Sequence, residues 1–68
     1  MTKEPILQFF QYEHLPERLK GVSLSFCHLA EELVANLPRN PERTVALRKL
    51  LEAKDAAVRA RLFTEGEA

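Results

Sequence analysis

A four-residue turn, Pro38-Arg39-Asn40-Pro41, divides the chain into two long segments with helical periodicity. Pro38 ends a helix because the residue before a proline avoids the helical conformation. Asn40 is a favoured N-cap residue and Pro41 suits the first helical position, so the same turn begins a second helix. A connection this short makes consecutive helices antiparallel neighbours. The turn therefore predicts an all-α fold, an antiparallel two-helix hairpin.

The prolines and the hydrophobic pattern divide the 68 residues of this single domain into an arm, two helices and a tail. Pro16, followed by the acidic Glu17, suits the first turn of a helix. The predicted elements are helix one over 16–37, helix two over 41–62 and a frayed tail over 63–68. Residues 1–15 lack a clear helical period but carry apolar side chains. We therefore expect them to form a short N-terminal arm, extended and packed on the helices.

Each helix carries apolar side chains at the three- and four-residue spacing that is typical of a helix packed on another helix. The stripe of helix one consists of Leu19, Val22, Phe26, Leu29, Leu33 and Leu37. Helix two has an alanine-rich stripe of Ala46, Leu50, Ala53, Ala57 and Ala60, and a second stripe of Leu47, Leu51, Val58 and Leu62. A hairpin needs only one of these two stripes. The surplus stripe requires a cover, which is either a second copy of the chain or the N-terminal arm.

The small size of the chain points to self-association. A core of this size supplies only about 3–5 kcal/mol, and small domains commonly add disulfides, a metal or partners. The lone Cys27 excludes an internal disulfide, and two His with one Cys fall short of a structural zinc set. We therefore predict a homo-oligomer without metal or cofactor, in which Cys27 is a small buried core residue.

Charge and motifs exclude several classes of function. Ten basic and ten acidic residues give zero net charge, whereas a domain that holds duplex nucleic acid usually has a strong basic excess. The N-terminus lacks the apolar run of a signal peptide, and no stretch approaches a membrane span. We therefore expect a cytoplasmic protein that binds neither membrane nor duplex. The sequence has no Ser-His-Asp set, no Cys-His set and no Gly-rich phosphate loop, so we expect no enzymatic activity.

The start of helix two is one candidate binding site. A helix N-terminus favours negative charge, yet Arg39 and Arg43 flank this one and Arg48 lies one turn further on. Free backbone amides, these cations and the Thr44 hydroxyl predict a site for phosphate or carboxylate. The alternative is that Arg39 points into solvent while Arg43 pairs with Glu42 or with a neighbouring subunit.

Tyr12 and His14, just before helix one, form a second candidate. A tyrosine on an ordered arm can stack on a nucleobase while its hydroxyl makes a hydrogen bond. The alternative to a ligand site is that Tyr12 only packs on the helices and that His14 is a surface residue or part of the turn. His28 lies on the polar side of helix one and is expected to face solvent.

Residues 38–53, PRNPERTVALRKLLEA, resemble the signature of the phage helical-hairpin sponges. These include the phage anti-CBASS cyclic-oligonucleotide sponge and the related hairpin domain of anti-Thoeris sponges. The signature runs proline, three residues, an acid, a basic residue, Ser or Thr, then x-A-L-x-K-L-x-E-A. The matching residues are Pro38, Glu42, Arg43, Thr44, Ala46, Leu47, Lys49, Leu50, Glu52 and Ala53.

Further matches extend the similarity over residues 12 to about 60. A Tyr-His-Pro stretch often precedes the first helix in that family, and Tyr12, His14 and Pro16 match it with an extra residue between them. The Leu29-Ala30 pair also agrees. The chain departs from the family at Leu51, which replaces a frequent acid, and at residues 54–58, which replace a Trp-Ala-Asn stretch.

The resemblance implies a homohexamer of hairpins that binds cyclic di- or trinucleotide immune messengers without catalysis. Such a sponge withholds the messenger and so blocks CBASS-type anti-phage signalling. The resemblance places cyclic dinucleotides between subunits, under Tyr12, and cyclic trinucleotides at separate central sites. Arg43, Thr44 and Arg48 are the candidates there, and Lys20 is the candidate for a lysine near the dinucleotide.

Two other functions remain open from the sequence. The first is a structural or regulatory helical interaction module that binds a host protein through the surplus stripe of helix two. The second is a hairpin dimer that binds nucleic acid, against which the zero net charge counts.

Overall fold

The computed structural model describes residues 4–67 of the chain, and the side chains of residues 4–63. Three helical elements follow one another: a 3-10 helix at Pro5–Phe10 (the arm helix), α1 at Glu17–Asn36 and α2 at Pro41–Glu67. α1 and α2 pack along each other, and the arm helix packs on both. Because only residues 37–40 join α1 to α2, the two helices run antiparallel. The predicted all-helical hairpin with an N-terminal arm is confirmed.

α2 begins where the turn predicts, but it ends later than the sequence predicts. α2 begins at Pro41, and the Oδ1 atom of Asn40 caps it by accepting the backbone N–H of Arg43 at 2.9 Å. The prediction of a frayed tail from residue 63 is wrong, since α2 continues to Glu67. Neither glycine nor proline interrupts residues 62–65, so nothing in the sequence ends the helix there. Ala68 lies outside the described residues.

The arm is helical rather than extended, which corrects the sequence-based expectation for residues 5–10. Pro5 occupies the first helical position, where its fixed φ angle suits a helix. The side-chain amide of Gln8 donates to the carbonyl of Pro5 at 3.0 Å, which closes the first turn. The chain becomes extended again at Gln11, the C-cap residue. Residues 1–3 of the predicted arm lie outside the described residues.

The core sits where the arm helix meets both long helices. Phe10 is fully buried and clusters with Ala30 of α1 and with Leu47 and Leu51 of α2. Seven partly buried side chains pack around this cluster: Ile6, Leu7, Phe26, Cys27, Leu33, Val34 and Leu50. The arm therefore covers the second stripe of α2, which was one of the two alternatives open from the sequence.

The buried side of α1 overlaps the predicted leucine stripe only in part. Its buried residues are Leu19, Ser23 and Ala30, whereas Leu29 and Leu37 remain 42% and 40% exposed. On a helical projection Val22 and Leu29 lie at the edge of the stripe turned furthest from Ser23 and Ala30, while Phe26 and Leu33 reach the core cluster. α2 likewise leaves its alanine-rich stripe only partly covered, with Ala46 and Ala57 half-buried and Ala53 exposed. This incompletely covered surface, here called the open face, consists of Val22, Phe26, Leu29, Leu33, Ala46, Leu50, Ala53 and Ala57.

Removing the Ser23 hydroxyl is expected to stabilise the fold. The Oγ atom of Ser23 is fully buried without a hydrogen-bond partner among the described residues, and such a group costs about 1–3 kcal/mol. We expect Ser23→Ala to raise the free energy of unfolding by about 1 kcal/mol in urea denaturation. Ser25→Ala is the control, because the Ser25 hydroxyl is exposed and bonds to the Gly21 carbonyl at 3.5 Å. A loss of stability in Ser23→Ala beyond that of the control would contradict the prediction.

Candidate functional site

Among the residues that the structure describes, two grooves flank the arm helix, one against α1 and the other against α2. With three residues per turn, a 3-10 helix aligns side chains that are three positions apart. Leu7 and Phe10 therefore share one side of the arm helix, and Ile6 and Phe9 share another. The groove against α1 is called the Tyr12 groove below, and the groove against α2 is called the Phe9 groove.

The Tyr12 groove has a volume of about 480 Å³ and an acidic lining. Its lining residues are Glu4, Pro5, Leu7, Gln8, Gln11, Tyr12, Glu13, Cys27, His28 and Glu31. Tyr12 is half-buried here, while the carboxylates of Glu13 and Glu31 are exposed. The described residues that line the groove include no lysine or arginine. A phosphate placed beside Tyr12 would therefore meet negative charge that nothing in the same lining offsets.

Cys27 is a half-buried core neighbour rather than a reactive thiol. Its Sγ atom lies 3.8 Å from Oε2 of Glu31 and donates a hydrogen bond to it. Burial raises the pKa of the Cys27 thiol, and the negative charge of Glu31 raises it further. A raised pKa keeps the thiol protonated at neutral pH, and the protonated form is a poor nucleophile.

Neither His14 nor Lys20 lines the Tyr12 groove, although the resemblance groups all three residues at one ligand. His14 is exposed in the turn that follows the arm and is not among the residues lining either groove. Lys20 is half-buried, and its Nζ atom lies 3.9 Å from a carboxylate oxygen of Glu17. His28 is exposed as predicted, yet it also lines the Tyr12 groove, which its place on the polar side of α1 did not indicate.

Arg43 is directed into the hairpin and is only 8% exposed. Its Nη1 atom donates to the backbone carbonyls of Val34 and Leu37, each at 3.1 Å. Its Nη2 atom donates to Oε2 of Glu4 at 3.2 Å. The guanidinium thus caps the C-terminal end of α1 and ties the arm to both helices. These contacts use three of the five guanidinium donors, and at 8% exposure the group offers a ligand phosphate little access.

Arg39 remains largely exposed and lies at the edge of the same ion pair. Its side chain is 65% exposed, and its Nε atom lies 4.0 Å from Oε2 of Glu4. The Glu4 side chain is 12% exposed and therefore faces two guanidinium groups, those of Arg39 and Arg43. Its negative charge is offset within the chain, unlike the charges of the exposed carboxylates in the Tyr12 groove.

The Phe9 groove brings Thr44 and Arg48 together, as the sequence predicted for the start of helix two. It has a volume of about 280 Å³. Its lining residues are Glu4, Pro5, Ile6, Phe9, Thr44, Leu47 and Arg48. Thr44 and Arg48 are exposed, and the Thr44 hydroxyl donates a long hydrogen bond of 3.4 Å to the carbonyl of Asn40. Within the described part of the chain, the Arg48 guanidinium has no ion-pair or hydrogen-bond partner.

Phe9 is a site residue that the sequence pattern does not indicate. In the extended arm that the sequence predicts, the side chains of Phe9 and Ile6 would not share one side. The three-residue spacing of Ile6 and Phe9, together with that of Leu7 and Phe10, was the signal available. In the structure Phe9 is 55% exposed and lines a groove with Arg48.

Neither a protein-family model, nor a curated protein, nor a solved structure gave a significant match to the chain. The resemblance to the helical-hairpin sponges therefore rests on the residues quoted above. Within residues 4–67, no cluster of three or more His, Cys, Asp or Glu side chains is arranged to hold a metal ion. None of the helices described combines the length and the apolar character needed to cross a bilayer.

Proposed function

We propose that the protein is a non-enzymatic sponge for cyclic di- or trinucleotide messengers. The observation that carries this proposal is the pair formed by Thr44 and Arg48 on an exposed side of α2. Arginine binds phosphate through charge-assisted, often bidentate hydrogen bonds, and a guanidinium without a protein partner is available for them. Bound messenger would be withheld from its effector by equilibrium binding, and CBASS-type signalling in the host cytoplasm would be blocked.

Self-association through the open face is part of the proposal. A compact monomer of 7.8 kDa is expected to expose about 4,400 Å². The chain exposes 4971 Å², which is roughly 600 Å² more than that expectation. An interface of standard size covers about 800 Å² on each partner. Because the elongated form of the chain (43 × 21 × 16 Å) also raises its exposed area, it is the 42% exposure of Leu29 that favours the open face as the interface. The resemblance supplies the subunit number, a hexamer.

The lining of the Tyr12 groove favours a ligand site shared between copies. Tyr12 can supply a stacking surface for a base, but the described lining residues supply no lysine or arginine for the phosphates. A neighbouring copy must then supply that positive charge if a cyclic dinucleotide lies there. Arg39, which is largely exposed, is available to an adjacent copy for this role.

Native mass spectrometry and calorimetry test the proposed function together. The protein is purified from cells that express a cyclic-nucleotide synthase, and the complex is weighed before and after denaturation. We expect a hexamer that carries nucleotide, and release of intact nucleotide on denaturation. Calorimetric titration with a panel of cyclic di- and trinucleotides is expected to show binding at micromolar protein. Hydrolysed nucleotide, or absence of binding across the panel, would contradict the proposal.

A pair of matched variants tests whether assembly depends on the open face. Leu29→Glu places a charge on that face and is expected to reduce the hexamer to smaller species in the same spectra. Val45→Glu is the control, because Val45 is 48% exposed on the outer side of α2, away from the open face. Equal assembly by the two variants would show that another surface holds the copies together.

A helical interaction module that binds a host protein is the second candidate, and the open face also favours it. Exposed apolar surface at i, i+3 and i+4 spacing is suited to receive an amphipathic helix of a partner. This candidate predicts a complex with a different protein, weakened by Leu29→Glu, in preparations that carry no nucleotide. A nucleotide-loaded homo-oligomer would exclude it as the main function.

A further inference from the structure

We propose that Phe9 stacks on one base of the ligand and that the Phe9 groove of each copy accepts a single aromatic ring with its attached phosphate. This inference rests on the proposed function for the class of ligand. It adds a recognition residue that the sequence did not assign, and it sets the number of bases that the Phe9 groove can hold.

The first argument is the exposure of the Phe9 ring. Phe10, its neighbour, is fully buried in the core, whereas Phe9 is 55% exposed. Ile6 and Leu47 contribute apolar surface to the same groove, so a flat ring lying on Phe9 would also be bordered by aliphatic groups. Aromatic side chains at the rim of a groove are the usual stacking surfaces for nucleobases, because every base has a π-face.

The second argument is the charge of the groove. Arg48 contributes a guanidinium with no protein partner within the described residues, and Thr44 contributes a hydroxyl. Glu4 also lines the groove, but its carboxylate is engaged by Arg43 at 3.2 Å and lies 4.0 Å from Arg39. The uncompensated charge in this groove is therefore positive. The Tyr12 groove has exposed carboxylates and no lysine or arginine in its described lining, so a phosphate is expected to prefer the Phe9 groove.

The third argument is size. A volume of about 280 Å³ lies just below the range of small-molecule pockets, which is about 300–1,000 Å³. The groove is accordingly matched to one ring and its phosphate rather than to a whole cyclic dinucleotide. The rest of a cyclic ligand would extend out of the groove, toward another copy. A mononucleotide should therefore suffice to occupy it.

Nuclear magnetic resonance of the full-length, ¹⁵N-labelled protein titrated with adenosine 5′-monophosphate tests the inference. We expect the amide signals of Phe9, Thr44 and Arg48 to move together, with one dissociation constant. Phe9→Ala is expected to weaken binding at least about fivefold, the effect of losing one stacked base. Arg48→Gln is expected to weaken binding about tenfold, the effect of losing a charge-assisted hydrogen bond.

Two substitutions elsewhere on α2 serve as controls. Phe63 is 69% exposed and Arg59 is also exposed, and both lie about three or more helical turns beyond Arg48. Phe63→Ala and Arg59→Gln are expected to leave the dissociation constant unchanged. Phenyl phosphate should move the same signals as the mononucleotide, whereas inorganic phosphate should bind at least about fivefold more weakly because it lacks a ring to stack.

The outcomes separate this inference from the proposed function. No shift of the three signals, or shifts confined to the Tyr12 groove, would overturn the inference. So would equal weakening by the control substitutions. If cyclic oligonucleotides bind in calorimetry but Phe9→Ala binds them as tightly as the wild type, the proposed function is supported and the role of Phe9 is excluded. If adenosine monophosphate binds at Phe9 and cyclic oligonucleotides do not bind, the ligand site in the Phe9 groove is supported and the proposed sponge function is excluded.

Discussion

Replacing Arg43 with methionine is expected to lower the free energy of unfolding by about 3 kcal/mol. The substitution keeps much of the aliphatic length but removes the donors to the carbonyls of Val34 and Leu37 and to the carboxylate of Glu4. The last turn of α1 then loses its cap, and Glu4 keeps a charge at only 12% exposure. Urea denaturation followed by circular dichroism, at one fixed protein concentration, measures the change.

Arg39→Met is the matched control for this prediction. Arg39 reaches the same carboxylate, but at 4.0 Å and with 65% of its side chain exposed. A surface pair of this kind contributes about 0–1 kcal/mol. If Arg43→Met were as stable as Arg39→Met, the guanidinium of Arg43 would have no structural role. Arg43 would then return to the set of candidate ligand residues that the sequence predicted.

Replacing Phe10 with alanine is expected to have the largest effect, a loss of about 3–5 kcal/mol. Phe10 is fully buried: it has 0% accessible surface and packs against residues of both α1 and α2. A loss of that size equals the whole stability that a small core usually provides. We therefore expect most of the helical circular dichroism signal to disappear at 25 °C.

Two further substitutions make the Phe10 prediction specific. Phe10→Leu keeps an apolar side chain in the cavity and is expected to cost less than about 2 kcal/mol. Phe63→Ala removes an aromatic ring that is 69% exposed and should change the free energy of unfolding by no more than about 0.5 kcal/mol. A Phe10→Ala protein that melts like Phe63→Ala would show that the arm does not contribute to the core.

The sequence predicts the hairpin well because its signals are local. Pro38, Asn40 and Pro41 act within one turn of their own positions, and the structure has the helix ends there within one residue. The flank of α1 that is buried could not be predicted in the same way. α1 has two apolar sides. Which of them is buried depends on the position of the arm, and residue spacing within α1 carries no information on that position.

The candidate site was predicted only in part, for a similar reason. Thr44 and Arg48 lie together because they are four residues apart on one helix, which is a local relation. Arg43 was assigned to a ligand because it follows a helix N-terminus. In an antiparallel hairpin, however, the start of α2 lies beside the last carbonyls of α1, and those carbonyls accept hydrogen bonds from Arg43. Its partner Glu4 is 39 positions away in the chain, beyond the reach of any spacing rule.

The arm helix forms a wall of both grooves, and Glu4 and Pro5 line each of them. Because the same two-turn helix separates the two grooves, a sideways shift of the arm that widens one groove narrows the other. The widths of the two grooves in one chain are therefore inversely related. A ligand that widens one groove by displacing the arm narrows the other.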